Sequence, residues 1–223
     1  MDYILNLETA TKNCSVALAK DGKTLFCKEM AELGYSHAEK LHVFIEECLQ
    51  EFQINFNDLS AIAVSQGPGS YTGLRIGVSA AKGLCFALDI PLISVDTLQV
   101  LASQLTISEG VIVPMIDARR MEVYSAIFNT KNEKIREVQA QIIEENSFGE
   151  SKEKIHFVGD CLEKVKTVLT APNFIFHEAI VYPSAQEMSS LSFQKWLSKD
   201  FEDVAYFEPY YLKDFLITAP AKK

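Results

Sequence analysis

The residues that come closest to a phosphate-binding motif lie in the stretch 65–88, which reads SQGPGSYTGLRIGVSAAKGLCFAL. A P-loop requires G-x-x-x-x-G-K-[ST], and a dinucleotide-binding loop requires G-x-G-x-x-G. The lysine of the first motif is missing here, and Gly73 stands one position too late after Gly67 and Gly69 to complete the second. Neither nucleotide-binding template is therefore matched.

The loop still has the form of a strand that leads through a Gly-Pro-Gly turn into a helix. Ser70 or Thr72 can cap that helix, and the free N–H groups at a helix N-terminus favour an anion. Two interpretations stay open at this point. Gly67, Gly69 and Ser70 contact an anion or a nucleotide, or they form a plain strand-to-helix turn.

Histidines could hold a metal ion, but their spacing in this chain disfavours it. The only close pair, His37 and His42, is five residues apart, which places the side chains roughly 140° apart around a helix. His156 and His177 lie far apart in the sequence and have no carboxylate pattern between them. The sequence therefore predicts no metal site, with His37 and His42 as exposed or interface residues.

The cysteines, the net charge and the apolar runs of the chain indicate its cellular compartment and the kinds of partner it can bind directly. The five cysteines are an odd number without a C-x-x-C pair, which is typical of reduced core thiols in a reducing compartment. The formal net charge is −9, so the basic footprint of a stand-alone nucleic-acid binder is missing. No apolar run approaches the ~20 residues that span a bilayer, and no basic segment precedes an apolar one at the N-terminus. We expect a cytoplasmic protein without membrane contact.

Strand and helix patterns alternate along the first half of the chain in the order β-β-β-α-β-α-β-α. This order predicts an antiparallel meander that continues into parallel strands through helical crossovers. Ser36 and Glu39 form a capping box at the start of the first helix. The predicted strands are residues 2–8, 14–20, 24–31, 59–65 and 91–95, and the predicted helices are residues 36–52, 72–88 and 97–105.

The second half varies the same theme, so the sequence predicts an N-terminal lobe of residues 1–105 and a C-terminal lobe of residues 106–223. Residues 134–143 read either as a strand pair or as one bent strand. The other predicted strands are residues 110–118, 121–128, 154–160 and 173–177, and the predicted helices are residues 161–169 and 184–198.

The predicted second helix carries a stripe of small residues at helical spacing, formed by Gly73, Gly77, Ala80 and Leu84. Glycine costs about 1 kcal/mol relative to alanine inside a helix, and Gly77 and Gly83 both lie inside this one. The cost is most simply tolerated where another backbone approaches closely. That neighbour is either the chain's own sheet or a helix of a second chain, and the residues alone do not separate the two.

At this point the sequence resembles a known family. GPGSYTGLRIG at residues 67–77 closely resembles the signature of the bacterial TsaB (YeaZ) family. LETATKNCSVAL at residues 7–18 resembles the family's first hairpin, where aspartate commonly stands at the position of Glu8. IDARRMEVY at residues 116–124 resembles D-A-R-[R/M]-G-E-V-Y, with Met121 in place of glycine, and EPYYLKD at residues 208–214 resembles a closing E-P-x-Y-L-R.

The resemblance implies both a fold and a role. The fold would be α/β, of the actin/Hsp70/sugar-kinase (ASKHA) superfamily, with two ribonuclease-H-like lobes built on mixed sheets. The protein would be a non-catalytic scaffold that pairs with the paralogue TsaD and works beside the ATPase TsaE. TsaD would transfer a threonylcarbamoyl group to the adenosine beside the anticodon of tRNAs that read codons beginning with A.

The same resemblance implies which components carry ATP, metal and tRNA. ATP and metal are expected on the partner subunits, with no cofactor on this chain. Contact with tRNA would be indirect, and the chain would form a homodimer when its partner is missing. The family's pairing surface consists mainly of the first two helices, so the implied interface residues here are His37, Leu41, Ile45, Tyr71, Thr72, Leu74, Gly77, Ala80, Ala81 and Leu84.

An enzyme of the same fold, an ATP-dependent small-molecule kinase, is the alternative. Kinases of the superfamily hold phosphate with a D-x-G-T-type hairpin, whereas this chain has Glu8-Thr9-Ala10-Thr11 without the glycine. Asp117 lies where a second phosphate turn would fall. In the kinase hypothesis an anion or nucleotide would be contacted by Glu8, Thr9, Gly67, Gly69, Ser70 and Asp117.

Overall fold

Two five-stranded mixed sheets form the framework of residues 2–31 and 37–213, which are the residues that the computed structural model describes. In the first sheet, the strands run in the order β3-β2-β1-β4-β5. The first three strands are antiparallel, and β4 and β5 continue parallel to β1. The strands are β1 (Tyr3–Glu8), β2 (Asn13–Lys20), β3 (Lys23–Ala31), β4 (Leu59–Gly67) and β5 (Leu92–Asp96).

The second sheet repeats this topology. Its order is β10-β9-β6-β7-β8, with antiparallel pairing from β6 to β8 and parallel pairing from β6 to β10. If the strands of each sheet are numbered along the chain, both sheets have the order 3-2-1-4-5. The strands are β6 (Val111–Asp117), β7 (Glu122–Phe128), β8 (Lys134–Ile142), β9 (Ile155–Gly159) and β10 (Phe174–Phe176). The predicted α/β class with mixed sheets is confirmed.

The helices cover the faces of the sheets in separate layers. Helices α1 and α2 pack with one face of the first sheet in a shared apolar core. Helix α5 packs on the opposite face, and α3 lies between the two sheets and contacts both. The helices are α1 (His37–Glu51), α2 (Tyr71–Leu88), α3 (Thr97–Ser103), α4 (Leu162–Val165) and α5 (Ala185–Ser198).

The packing of helix α5 does not follow the predicted division of the chain at residue 105. Helix α5 packs against β1, β2, β3 and β5, all of which belong to the first sheet. Its inner side chains Ala185 and Met188 are buried against that sheet. The segment after α5 returns to the same sheet, where Glu202 N donates to Leu92 O at 2.9 Å. A lobe boundary at residue 105 therefore does not describe the packing of α5. This helix follows residue 105 in the chain, but its apolar contacts are with the first sheet.

Element boundaries lie within two residues of the sequence predictions, apart from the end of α4. Residues 134–142 form one strand, so the alternative of a strand pair is excluded. Helix α4 ends at Val165 and not near residue 169, because Val168 N donates to Val165 O in a tighter turn and Thr167 Oγ1 bonds to Lys164 O. The capping residue Ser36 and the motif residue Asp214 lie outside the described residues. Among the helices of the described part, none is long and apolar enough to cross a membrane.

Candidate functional site

The glycine loop packs directly against the turn between β1 and β2. Ser70 N donates a hydrogen bond to Ala10 O at 2.7 Å, and Thr9 Oγ1 donates to Gly73 O at 2.8 Å. A Cβ atom on Gly69 would lie 2.3 Å from Ala10 O, and one on Gly73 would lie 2.1 Å from Thr9 O. These distances are far below van der Waals contact, so glycine is required because the chain's own backbone approaches here.

The remaining glycines of α2 separate into two kinds. A Cβ on Gly77 would lie 2.3 Å from Thr9 Oγ1, so this position also faces the β1–β2 turn. A Cβ on Gly83 would have no atom within 4 Å. For Gly77 the close neighbour is therefore the chain itself, whereas the packing of the described residues gives no reason for glycine at position 83.

The start of α2 favours the structural interpretation of the loop. Ser70, one of the two predicted caps, accepts a hydrogen bond from Gly73 N at 3.3 Å. The β1–β2 turn fills the space beside Gly69 and Gly73 that an approaching anion would use. Gly67 is buried next to the backbone of Tyr210. The contacts of the loop are those of a strand-to-helix turn held by its own chain.

Glu8 is the most strongly perturbed carboxyl group in this region. It is fully buried, its Oε1 accepts a hydrogen bond from Ala10 N at 2.6 Å, and its Oε2 pairs with the Ser65 hydroxyl. Burial raises the pKa of Glu8 from 4.5 to about 7. Thr9 beside it is also fully buried. The buried side chains of Glu8 and Thr9 therefore stabilise the β1–β2 turn through hydrogen bonds within the core. Neither side chain is accessible to a ligand in solution.

Asp117 belongs to a second turn, at the end of β6. Its carboxylate is paired with Lys164 Nζ at 2.5 Å and accepts from Arg119 N at 2.7 Å. Its own N–H donates to Asp160 Oδ1 at 2.8 Å. Burial raises the pKa of Asp160, and the charges of Lys12 and Lys164 oppose that shift. The charge of Asp117 is thus already balanced within the chain by Lys164. Lys12 of the β1–β2 turn lies close enough to Asp160, which follows β9, for its charge to lower the pKa of Asp160.

The histidines divide between the core and the surface. His37 is only 1% exposed, and its Nε2 hydrogen bonds to Thr11 O at 2.8 Å, whereas His42 is exposed. Their predicted separation around α1 is confirmed. Of the predicted alternatives for His37, exposed or interface residue, the exposed one is wrong, because the side chain is buried and bonds to the β1–β2 turn. No group of three or more metal-binding side chains occurs among the described residues.

One histidine pair was missed by sequence reasoning. His156 Nδ1 and His177 Nε2 lie 2.9 Å apart, with stacked rings. His156 is on β9, and His177 follows β10, the parallel neighbour of β9. The sequence predicts strands at residues 154–160 and 173–177, but only the pairing of these strands places the two rings together.

The cysteines show the burial expected of core thiols. Cys14, Cys48, Cys85 and Cys161 are buried, and Cys27 is partly buried. Burial raises the pKa of each thiol, to about 11 for Cys14 and Cys27 and to about 12 for Cys48, Cys85 and Cys161. The thiolate form that acts as a nucleophile is therefore suppressed.

The implied interface residues do not all face outward. Six of the ten side chains are buried within the chain itself and belong to the inner stripes of α1 and α2, so they are corrected to core positions. The physical reason is that each helix must cover the apolar face of the first sheet with one stripe. These six residues are His37, Leu41, Ile45, Leu74, Gly77 and Ala81. Tyr71, Ala80 and Leu84 are partly exposed, and Thr72 is exposed.

A different set of residues forms the outward side of the two helices. We call it the α1–α2 outer face and define it by Val43, Thr72, Arg75, Ser79, Gly83 and Phe86. Phe86 is 84% exposed and Val43 is 46% exposed. Sequence reasoning missed both, although Ser79, Gly83 and Phe86 recur at helical spacing opposite the buried Val78 and Cys85.

An aromatic cluster extends this face towards the C-terminal segment. The rings of Tyr71 and Tyr211 lie 5.1 Å apart, and the Arg75 guanidinium lies 4.2 Å from the Tyr71 ring centre. Arg75 Nε also donates to Tyr211 Oη at 3.2 Å. Tyrosine and arginine are enriched among the residues that dominate protein–protein binding. The cluster and the outer face together have the character of a protein-binding surface.

Comparisons with known proteins point to one group. Residues 32–215, most of the chain, match the family model described as "TsaD: tRNA N6-adenosine threonylcarbamoyltransferase". The chain is 28% identical to the tRNA threonylcarbamoyladenosine biosynthesis protein TsaB of Escherichia coli (strain K12), over 95% of this chain and 94% of that protein. It is 36% identical to the protein of the same name from Bacillus subtilis (strain 168), over 60% of this chain.

The matched segment spans 58% of the Bacillus subtilis protein, little more than half its length. Among solved structures, YeaZ from Pseudomonas aeruginosa superposes with a TM-score of 0.83 at 26% identity. That superposition covers 95% of this chain and all of the other. The likeness in structure thus extends over both sheets.

Proposed function

The chain belongs to the TsaB (YeaZ) family, and on that premise we propose that it is a non-catalytic subunit in the biosynthesis of threonylcarbamoyladenosine in tRNA. The relatives from Escherichia coli and Bacillus subtilis are named for this process, which supports the proposal. The chain acts by pairing with a TsaD paralogue, which transfers the threonylcarbamoyl group. The target is the adenosine beside the anticodon of tRNAs that read codons beginning with A.

The carboxylates of two turns, the β1–β2 turn and the turn after β6, are already bonded within the chain, which supports a role without catalysis. A kinase of this fold would use carboxylates of these turns at its phosphates, but Glu8 is buried and bonded to Ala10 and Ser65. Asp117 is already paired with Lys164. The backbones of Thr9 and Ala10 occupy the space beside Gly73 and Gly69 of the glycine loop. These groups serve the packing of the chain, and the chemistry of the complex is assigned to the partner.

The observation that carries the pairing is Gly83 on the α1–α2 outer face. This residue lies in the interior of α2, where glycine costs about 1 kcal/mol relative to alanine, and no atom lies within 4 Å of the position of its absent Cβ. Phe86, three residues further on, is 84% exposed. A second helix that approaches closely at Gly83 and covers Phe86 explains both features.

The other components follow from the same pairing. ATP and metal belong to the TsaD and TsaE subunits, and tRNA is bound mainly by the partners because this chain has a net charge of −9. Without a partner, the exposed apolar side chains of this face, Val43 and Phe86, drive formation of a symmetric homodimer. We expect light scattering with and without the TsaD paralogue to show the homodimer replaced by the mixed pair.

Replacing Gly83 by arginine tests the surface. The new side chain has open space in the isolated chain, so the variant folds, but it projects where the partner helix approaches. We expect the Kd for the TsaD paralogue to rise at least about tenfold, or about 1.4 kcal/mol, with a parallel loss of threonylcarbamoyl transfer. Surface plasmon resonance gives the Kd, and a transfer assay with purified subunits gives the activity.

Gln139→Arg is the matched control, because Gln139 is exposed on β8 in the other lobe and the substitution adds the same charge. It is expected to leave both quantities unchanged. An unaltered Kd for Gly83→Arg would exclude the α1–α2 outer face as the pairing surface. The kinase alternative is tested separately by isothermal titration with ATP and Mg²⁺, where micromolar binding to the isolated chain would support it.

A further inference from the structure

Two histidine rings lie against each other at the β10 edge of the second sheet. His156 Nδ1 and His177 Nε2 are 2.9 Å apart, and the stacked rings have their centres 5.2 Å apart. His156 lies on β9 and is only 8% exposed, and His177 directly follows the edge strand β10. We propose that this pair is an acid-sensitive contact, which holds β10 to β9 while at most one ring is protonated and releases it when both are protonated.

The hydrogen bond between the rings limits how many protons the pair can hold. A neutral imidazole has one N–H donor and one acceptor nitrogen, whereas a protonated ring has two donors and no acceptor. With one ring protonated, the facing nitrogen of the other ring still accepts. With both rings protonated, two N–H groups and two positive charges would face each other across 2.9 Å. The closed pair therefore excludes the second proton.

The apolar surroundings of His156 add to this exclusion. In the register of the sheet, His156 lies beside Ile112 of β6 and Ile175 of β10, and its Nε2 is buried from water. Burial lowers the pKa of both His156 and His177, and the nearby His177 lowers the pKa of His156 further. The closed edge is therefore favoured by neutral rings.

The charges nearest to His156 do not compensate for added protons. Glu109 and Lys154 lie close to this ring, but they pair with each other at 2.5 Å. Their charges act on the pKa of His156 in opposite directions. The backbone of Glu109 favours the protonated ring, but the effect of burial is larger.

The other elements around the pair are either uncharged or paired elsewhere. Helix α3, which contacts β9, has the sequence TLQVLAS and no titratable side chain. Glu178, the residue after His177, is paired with Lys166. On α4, which also contacts β9, Glu163 is exposed and Lys164 is paired with Asp117. In the described part of the chain, neither histidine of the pair has a carboxylate as an ion-pair partner.

The edge that the pair holds is short and leads into the crossing between the two sheets. Strand β10 has only three residues, Phe174–Phe176, and the backbone bond nearest the pair runs from His177 N to Phe157 O at 2.9 Å. The two phenylalanine rings of β10 lie 5.3 and 5.1 Å from the Phe157 ring. After His177, residues 178–184 lead to α5 on the first sheet. Repulsion within the pair therefore acts on a weakly held strand at the start of this crossing.

The pH range of the device follows from the sign of the two shifts. Both histidine pKa values are lowered from 6.5 in the closed edge, so the stability that the pair contributes is full well above pH 6.5 and is lost as the pH falls below it. For each proton that the closed pair excludes and an open histidine takes up at 6.5, the opening constant rises about tenfold from pH 7.5 to pH 5.5.

Hydrogen exchange of the full-length chain, measured by mass spectrometry at pH 7.5 and pH 5.5, tests the proposal. After correction for the intrinsic pH dependence of exchange, we expect the opening constant of residues 155–159 and 174–180 to rise about tenfold at the lower pH. In β7 of the same sheet, we expect a change of less than about twofold. A rise confined to other elements, or none at all, would overturn the proposal.

His177→Gln removes the titration and keeps an amide near the position of Nε2, so the rise at β9 and β10 is expected to fall below about threefold. His42→Gln, at an exposed position on α1, is the matched control and keeps the full rise. An equal rise in His177→Gln would contradict the proposal. NMR titration of the imidazole rings in the unmodified chain is a second test that needs no variant. We expect His156 and His177 to titrate below pH 6.5, and titration of both rings at 6.5 would also contradict the proposal.

Discussion

Replacing Gly73 by alanine is expected to lower the free energy of unfolding by about 3 kcal/mol, the upper end of the usual cost of overpacking a rigid site. The added methyl group would lie 2.1 Å from Thr9 O. That oxygen belongs to the backbone of the β1–β2 turn, so no side-chain rotation relieves the clash. For a chain of this size the melting temperature is expected to fall by roughly 6–12 °C, which differential scanning calorimetry measures.

Gly83→Ala is the matched control for this prediction. The same substitution is made in the same helix, but the new methyl group meets no atom within 4 Å. Alanine is favoured over glycine by about 1 kcal/mol in a helix interior, so the melting temperature is expected to rise by roughly 2–4 °C. Equal changes for the two variants would show that the glycine loop does not pack on the β1–β2 turn as described.

Glu8→Gln is expected to make stability less dependent on pH. Because burial raises the pKa of Glu8 from 4.5 to about 7 in the folded chain, the folded state binds this proton more tightly than the unfolded state. Stability from this group is therefore full below about pH 4.5 and is lost as the pH rises to about 7. The loss amounts to about 3 kcal/mol, at about 1.4 kcal/mol per pKa unit.

Glutamine keeps the size of the protonated carboxyl group, can accept from Ala10 N and can donate to Ser65 Oγ. We therefore expect Glu8→Gln to match the unmodified chain at pH 5 and to exceed its stability by about 2–3 kcal/mol at pH 8. Urea unfolding at both pH values measures the difference. Glu46→Gln, at an exposed position, should show no such change between the two pH values. A Glu8→Gln variant that is less stable at pH 8 would show that the carboxylate is the required form.

The glycine signature therefore has an explanation that does not involve phosphate. Gly69, Gly73 and Gly77 let the loop and α2 lie against Thr9 and Ala10, and Glu8 holds the same turn from inside. Substitution of Gly77 by a large residue would disrupt this contact within the chain. Gly83 faces outward, so a substitution there can disturb the partner without a clash inside the chain.

Much of the fold follows from local patterns. Alternating strands, apolar helical stripes and a cap at Ser70 or Thr72 predicted the element order and most boundaries, because these signals depend on residues close together in sequence. The family signature also lies in short motifs. The end of α4 was misplaced because weak terminal turns compete closely with helix, so small side-chain hydrogen bonds such as that of Thr167 decide the outcome.

The sequence by itself determined the α/β class, the repeated strand and helix pattern and the family. Only the tertiary structure decided which neighbour each residue meets. It placed α5 on the first sheet, buried His37 and Glu8 at one turn, and brought His156 beside His177. It also showed that Gly77 and Gly83, six residues apart in one helix, face inward and outward. The reason is physical: periodicity fixes the orientation of residues within an element, whereas the packing of distant elements fixes what lies opposite each face.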